Sequence, residues 1–413
     1  SSTSSHVYIV TNDISTDNFW DTTVFPIGTY VVLVFTKDTR NNADTMYVAV
    51  DITNEDLMPP AQPVLRFVKE IENGLIVGWY PNTDSDLLGY RLYSSFDNIN
   101  WTLEIDETDL QAGQQDTSIS TVLNQDIYFR LTALDNAPVP NESMTSDVYG
   151  VSPGDFNEKV LIVDGFDRIE SSGSWHEPNH FFAFTHSKAV VAHGFSFDTV
   201  PNEAILDGSV DLNDYKVVVW ILGDESTADE TFSADEQTLV KNYLENGGML
   251  FVSGSEIAWD LDQDNASSES TPEDEHFLHE YLRADYVGDD SGILAVTGVN
   301  GTIFEGLSFN FGTSPYPEDF PDYINAFGDG AIVNLKYSAT RNAGIQYVGT
   351  FGHGTKPGKL VYLAFPFETI TGEENRNVVM GRVLDLLFYK IIQIPLTPKP
   401  LSNTICLSPR EWC

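Results

Sequence analysis

Cysteine is nearly absent from this chain, with Cys406 and Cys413 the only two among 413 residues. Both stand in a Pro-rich tail, residues 391–413, where their spacing permits a small local disulfide and nothing more. Unless that tail folds back, no thiol is available to a site elsewhere. Basic residues are scarce too: 21 Lys and Arg against 62 Asp and Glu leave a formal net charge of −41. A field of that sign repels nucleic acid and anionic membrane surfaces and attracts cations. No stretch reaches the roughly 18 apolar residues of a spanning helix, so membrane insertion by a helix is not expected. The opening Ser1-Ser2-Thr3-Ser4-Ser5-His6 has no charged-then-apolar leader, and the chain reads as a mature or excised piece of a secreted, extracellular protein with further domains upstream.

What is present is a globular mixture, 41% hydrophobic and 12% aromatic, long enough for two or three cores. Tyr30-Val31-Val32-Leu33-Val34-Phe35, a polar turn, and Met46-Tyr47-Val48-Ala49-Val50 predict a hairpin. Residues 1–56 are therefore expected to be the C-terminal strands of an Ig-like β module, closed by the linker Met58-Pro59-Pro60-Ala61-Gln62-Pro63. Short alternating strands over 60–152, with turn residues at sandwich spacing, predict an all-β sandwich. From Lys159 to Lys390 strands alternate with helical stretches. Ser233 and Glu236 form a capping-box pattern, the helix they open should stop at Asn246-Gly247-Gly248, and a strand begins at Met249. That order predicts a right-handed parallel crossover.

Residues 60–152 resemble a fibronectin type III domain through Leu75-Ile76-Val77-Gly78-Trp79, Asp86 to Tyr93, Trp101 and Tyr128 to Asp135. Residues 157–390 resemble the class I glutamine amidotransferase-like domain of large secreted bacterial proteins, often labelled xanthan lyase or N-acetylmuramoyl-L-alanine amidase. That likeness rests on Val160 to Arg168, Trp220 to Glu225, Gly247 to Asp260 and Phe365 to Ile370, and it implies a three-layer flavodoxin-like α/β fold. The turn after the central strand reads Ser253-Gly254-Ser255-Glu256. Amide transfer needs a thiolate there, so the catalytic cysteine of that family is absent and ammonia transfer from glutamine is not expected.

Chemistry is expected where apolar strands run into acids, because open α/β sheets place ligands outside the carboxyl ends of their strands. Those ends carry Asp164, Asp167, Asp224, Glu225, Glu256 and Glu368. Paired carboxylates suit hydrolysis of a glycan, with Trp175, Trp259 and Phe365 available to stack on sugar faces. A serine reading uses Ser255 with a histidine, His193 or its neighbours His176, His180 and His186, and Asp224 or Glu368 as the acid. Asp260, Asp262 and Asp264 have the alternate-acid spacing of a calcium loop but lack the glycine and final glutamate of an EF-hand. His276 and His279, three apart on a helix, supply only half a zinc site. The expected function is action on, or attachment to, extracellular or cell-wall polysaccharide, hydrolytic if catalytic. The competing reading is a binding or spacer module that keeps the fold without the chemistry.

Overall fold

The computed structural model describes residues 28–388, apart from 38–39, 41, 53–55, 121–124, 156–157, 169–174, 176 and 264–269, and apart from the side chains of 32–37 and 52. The tail with Cys406 and Cys413, together with Asp264 and His176, lies outside the described residues. The chain divides into two compact units, one holding residues up to Met58 with Ala137–Asn141, the other Pro59–Asn136 with Glu142 onward.

In the first unit β1 (Gly28–Lys37) and β2 (Ala43–Ile52) pair antiparallel from Gly28↔Ile52 to Lys37↔Ala43. Their β-branched and aromatic residues suit extended backbone.

The second unit begins as a sandwich. β3 (Leu65–Ile71), β4 (Gly74–Trp79) and β7 (Asp116–Ser120) form one layer; β5 (Leu87–Ser95), β6 (Thr102–Ile105), β8 (Ile127–Asp135) and β9 (Tyr149–Val151) form the other. Trp79 is fully buried between them, its ring centroid 5.2 Å from that of Tyr90, so the tryptophan singled out in the sequence is a core residue.

The α/β part follows with β10 (Val160–Asp164), α1 (Phe182–Val191), β11 (Phe197–Pro201), α2 (Asn202–Leu206), β12 (Val217–Gly223), α3 (Ala234–Glu245), β13 (Met249–Gly254), α4 (Ile257–Asp262) and α5 (Pro272–Glu280). A β-rich region comes next: β14 (Ala284–Gly288), β15 (Ala295–Gly298), β16 (Ser308–Asn310), β17 (Tyr323–Ala326), β18 (Ile332–Lys336) and β19 (Asn342–Gly349). β20 (Gly358–Leu363) and α6 (Glu373–Phe388) close the described chain.

The parallel strands stand in the order β11-β10-β12-β13-β20, and β19 extends the sheet antiparallel beyond β20. Their residues are buried on both faces, as unbroken runs such as Val217-Val218-Val219-Trp220 require. Val160, Ile162 and Val219 pack with α1 and α6, whereas Leu161, Val163 and Val218 pack with α2, α3 and α5. The capping box of α3 is formed, Ser233 accepting from Glu236 N, and the chain leaves the helix through Gly247 at φ 91°.

The sandwich is not a separate body. β3 pairs with β11 at Val68↔Thr199, making one continuous sheet. Lys159, with no exposed surface, sits at that junction, its Nζ 2.6 Å from Glu70 and 3.1 Å from Asp198. A charge this deep is tolerable only when paired, so the joint is specified electrostatically as well as by backbone pairing. Among the described residues no helix is long and apolar enough to cross a membrane.

Candidate functional site

Because the strands are parallel, Asp164, Gly223, Gly254 and Leu363 end at one edge of the sheet. The chain passes from β10 to β11 on one side and from there crosses to β12 on the other, so the strand order reverses between β10 and β12, the point at which open α/β sheets place their ligands. Gly223 ends β12 at that point with φ +53°, and a Cβ there would lie 2.6 Å from the Phe166 ring.

The acids at this edge fall into three groups. The first is structural. Asp164 accepts from His180 Nε2 at 2.9 Å, and His180 Nδ1 lies 3.0 Å from Asp147. Although fully buried, the imidazole is held well above its usual range by those two carboxylates, which outweigh burial. The three residues have ligand atoms close enough for a metal ion, yet the ring stands between the acids and shows one nitrogen to each. That is an ion bridge. Glu225 likewise accepts from the backbone N–H of Asp167 and is buried. Asp167, exposed as a residue, accepts from Asn202 at 3.1 Å and is raised by the surroundings of its carboxyl, desolvation first and then Glu203.

A second, buried group lies behind the edge. Ser255 Oγ donates to Glu318 Oε1 at 2.6 Å, and Tyr316 O–H donates to Glu368 Oε1 at 2.7 Å. Burial first, then Asp224 and each other's charge, pushes Glu318 to about 8; Glu368, buried and raised by Asp224, reaches about 7. Each has a second oxygen that is buried without a hydrogen-bond partner. His186 Nδ1 is bonded to Phe182 O at 2.8 Å, which leaves Nε2 aimed at Glu368 Oε2 across 3.9 Å. Burial drives His186 down to about 3, so this ring is neutral. Asp322 bonds the α4 entrance from below, accepting from Trp259 N at 2.8 Å while its own N–H donates to Ser255 O at 3.0 Å.

In the third group Glu256 is partly exposed while Asp224 and Arg168 are buried. Glu256 is half-buried and pushed up to about 7, by burial first, then by Asp289 and Asp224, against a hydrogen bond from Ser226 and the charge of Arg168. Arg168 Nη1 lies 3.8 Å from Asp224 Oδ2 while its Nε bonds Asp229 at 2.8 Å. One acid therefore holds its proton near neutrality beside another that faces a guanidinium.

Three sequence expectations are corrected. His193 is exposed at the far end of α1, its Nε2 on Asn377 O at 2.6 Å, because α1 runs back across the sheet and carries its C-terminus to the opposite edge. Phe365 is fully buried and stacked on Phe311 with centroids 4.4 Å apart, so its face is not open to a sugar. Asp260 and Asp262 sit two apart on one six-residue helix and turn to different partners: Asp260 to Thr231 at 2.7 Å, Asp262 to His279 at 3.2 Å. Trp175 packs edge-on to Tyr316 at 5.9 Å, and Trp259 edge-on to Tyr286 at 5.8 Å; both are half-buried.

Glu318, Asp322, Tyr316 and Arg168 were not singled out as site residues. Nothing in the sequence ties the loop carrying the first three to a strand end more than 60 residues earlier in the chain, as the Ser255 to Glu318 separation shows.

No family model matches the chain, and no curated protein does. A β-1,2-glucanase from Parabacteroides distasonis is 23% identical over 29% of this chain and 17% of its own, with TM-score 0.21. An Fn3-like protein from Clostridium thermocellum is 17% identical, covering 21% of this chain and 88% of its own at TM-score 0.17. A cytoplasmic protein from Salmonella typhimurium LT2 is 15% identical over 55% of this chain and 99% of its own, at TM-score 0.37. Fibronectin-like domains and a glycanase are thus among its weak structural neighbours, each likeness confined to part of the fold.

Proposed function

We propose that this chain belongs to a secreted, multidomain protein that hydrolyses an extracellular polysaccharide by carboxylate chemistry at the strand-end crevice. The reading is supported by Glu256, half-exposed and pushed up to about 7 by burial and then by Asp289 and Asp224, and by Asp224, whose Oδ2 faces Arg168 Nη1 at 3.8 Å. In that arrangement Glu256 donates a proton to the departing sugar oxygen, and Asp224 assists attack or steadies the positive charge that develops on the ring. Glu318, pushed up to about 8, holds its proton behind them and so adds little repulsion to Asp224. Trp175 and Trp259 offer half-exposed ring edges near the mouth.

The parallel order β11-β10-β12-β13-β20 supports a three-layer, flavodoxin-like reading of residues 157–390, since it has the 2-1-3-4-5 strand sequence of that class. Ser255 occupies the turn where an amidotransferase-like enzyme carries its thiol, and its hydroxyl is committed to Glu318. A glycan rather than a polyanion as substrate is supported by the charge of −41.

A second reading, a binding or spacer module, is favoured by how many acids serve the fold: Asp164 on His180, Asp260 on Thr231, Asp322 on Trp259, Glu236 in its capping box. A reducing-end screen of the chain on neutral, amino and cell-wall polysaccharides separates the two. Release of sugar abolished in Glu256→Gln and Asp224→Asn supports the hydrolase; glycan binding without release, unchanged in both variants, supports the module.

A further inference from the structure

Metal-ligating side chains converge at a second place, away from the crevice. Asp262 ends α4, Glu275 and His279 lie on α5, and Asp285 stands on β14. His279 Nε2 is 3.2 Å from Asp262 Oδ2 and 3.5 Å from Asp285 Oδ1, while Nδ1 is 3.7 Å from Glu275 Oε1. Two carboxylates from different elements thus meet the same ring nitrogen. This differs from His180, where Nε2 meets the single carboxylate of Asp164.

Two physical features of this group suit a metal ion. Tetrahedral zinc with ligands at about 2.1 Å has ligand-to-ligand edges of about 3.4 Å, and both Nε2-to-oxygen separations match that edge. Charge gives the second. Three carboxylates surround one imidazole, so even an imidazolium leaves two negative charges uncompensated, and a divalent ion balances what a proton does not. The ring is pre-set: Phe327 stacks on it with centroids 4.1 Å apart and planes 5° apart. Tyr286 N donates to Asp262 Oδ2 at 3.1 Å, orienting that carboxylate as outer-sphere partners do.

We propose that Asp262, His279 and Asp285 bind a divalent transition ion of the zinc class, with the half-exposed edge at Asp285 open to a water or to Glu275. The imidazole donor makes the site one for zinc rather than calcium, which takes oxygen ligands. Its role is structural. α4 starts directly after Glu256 and ends on Asp262, so an ion there ties the helix to α5 and β14 and fixes the turn that presents Glu256.

The test is calorimetric titration of the metal-stripped full chain with zinc, alongside thermal unfolding. One zinc per chain and a Tm that rises with added zinc are expected, with binding weakened at least about tenfold in His279→Ala and in Asp285→Asn. Asp285 is 43% exposed, so its variant should fold even if the histidine variant does not. His276→Ala, one turn away on the same helix, should bind as the parent does. Absence of zinc binding, zinc binding that survives both ligand variants, or a response to calcium in place of zinc overturns the proposal.

Discussion

Ser255 donates its hydroxyl proton to Glu318 across 2.6 Å, with both side chains buried. A serine nucleophile and its base would share this geometry, but the bond also satisfies a carboxyl that burial pushes up to about 8. Ser255→Ala should therefore behave as loss of one buried hydrogen bond, costing about 1–3 kcal/mol of stability. Hydrolysis, where detected, should fall by less than about tenfold; loss of a nucleophile costs orders of magnitude more. Chemical denaturation and initial rates on the same preparation measure both.

The acids behind the crevice give stability an unusual pH dependence. Glu318 at about 8 and Glu368 at about 7 hold protons in the fold that the unfolded chain releases near 4.5. The native state then binds more protons than the unfolded one across this window, so stability falls as pH rises from about 4.5 toward 8. His180 acts in the same direction, its stabilisation full below pH 6.5 and lost as pH climbs through its raised folded value. Tm should be higher at pH 5 than at pH 8, and Glu318→Gln should flatten that slope.

Lys159 is the joint of the second unit. Replacing it with methionine strands Asp198, already raised by burial, and should destabilise the chain by about 3–5 kcal/mol. Adding Asp198→Asn should recover part of that loss, because the charge left unpaired is then gone. A double-mutant cycle in urea checks the coupling.

Local signals in the sequence located much of this fold. The Ser233 box, the Gly247 stop and the doubly buried run at Val217 are decided within a few residues, by capping, by backbone freedom and by β-branched side chains. Glu256 and Asp224 were legible for the same reason, as acids one turn beyond an apolar strand. What escaped was everything set by long-range packing: the merger of β3 with β11, the arrival of Glu318 beneath Ser255, and the reversal of α1 that removes His193. The burial of Phe365 also depends on Phe311, a partner more than fifty positions away in sequence. A side chain's environment is a property of the folded neighbourhood, and composition at a strand end does not report it.

The raised carboxyl of Glu256 makes one experiment decisive: initial rates of reducing-end release on the best glycan from the screen, for the parent chain and Glu256→Gln, from pH 5 to 9. A general acid held at about 7 predicts a rate that declines as pH rises above about 7 in the parent and is lowered by at least about a hundredfold in the variant. A parent rate that does not fall above that pH, or a Glu256→Gln chain that cleaves as the parent does, would contradict the assignment of Glu256 as the proton donor.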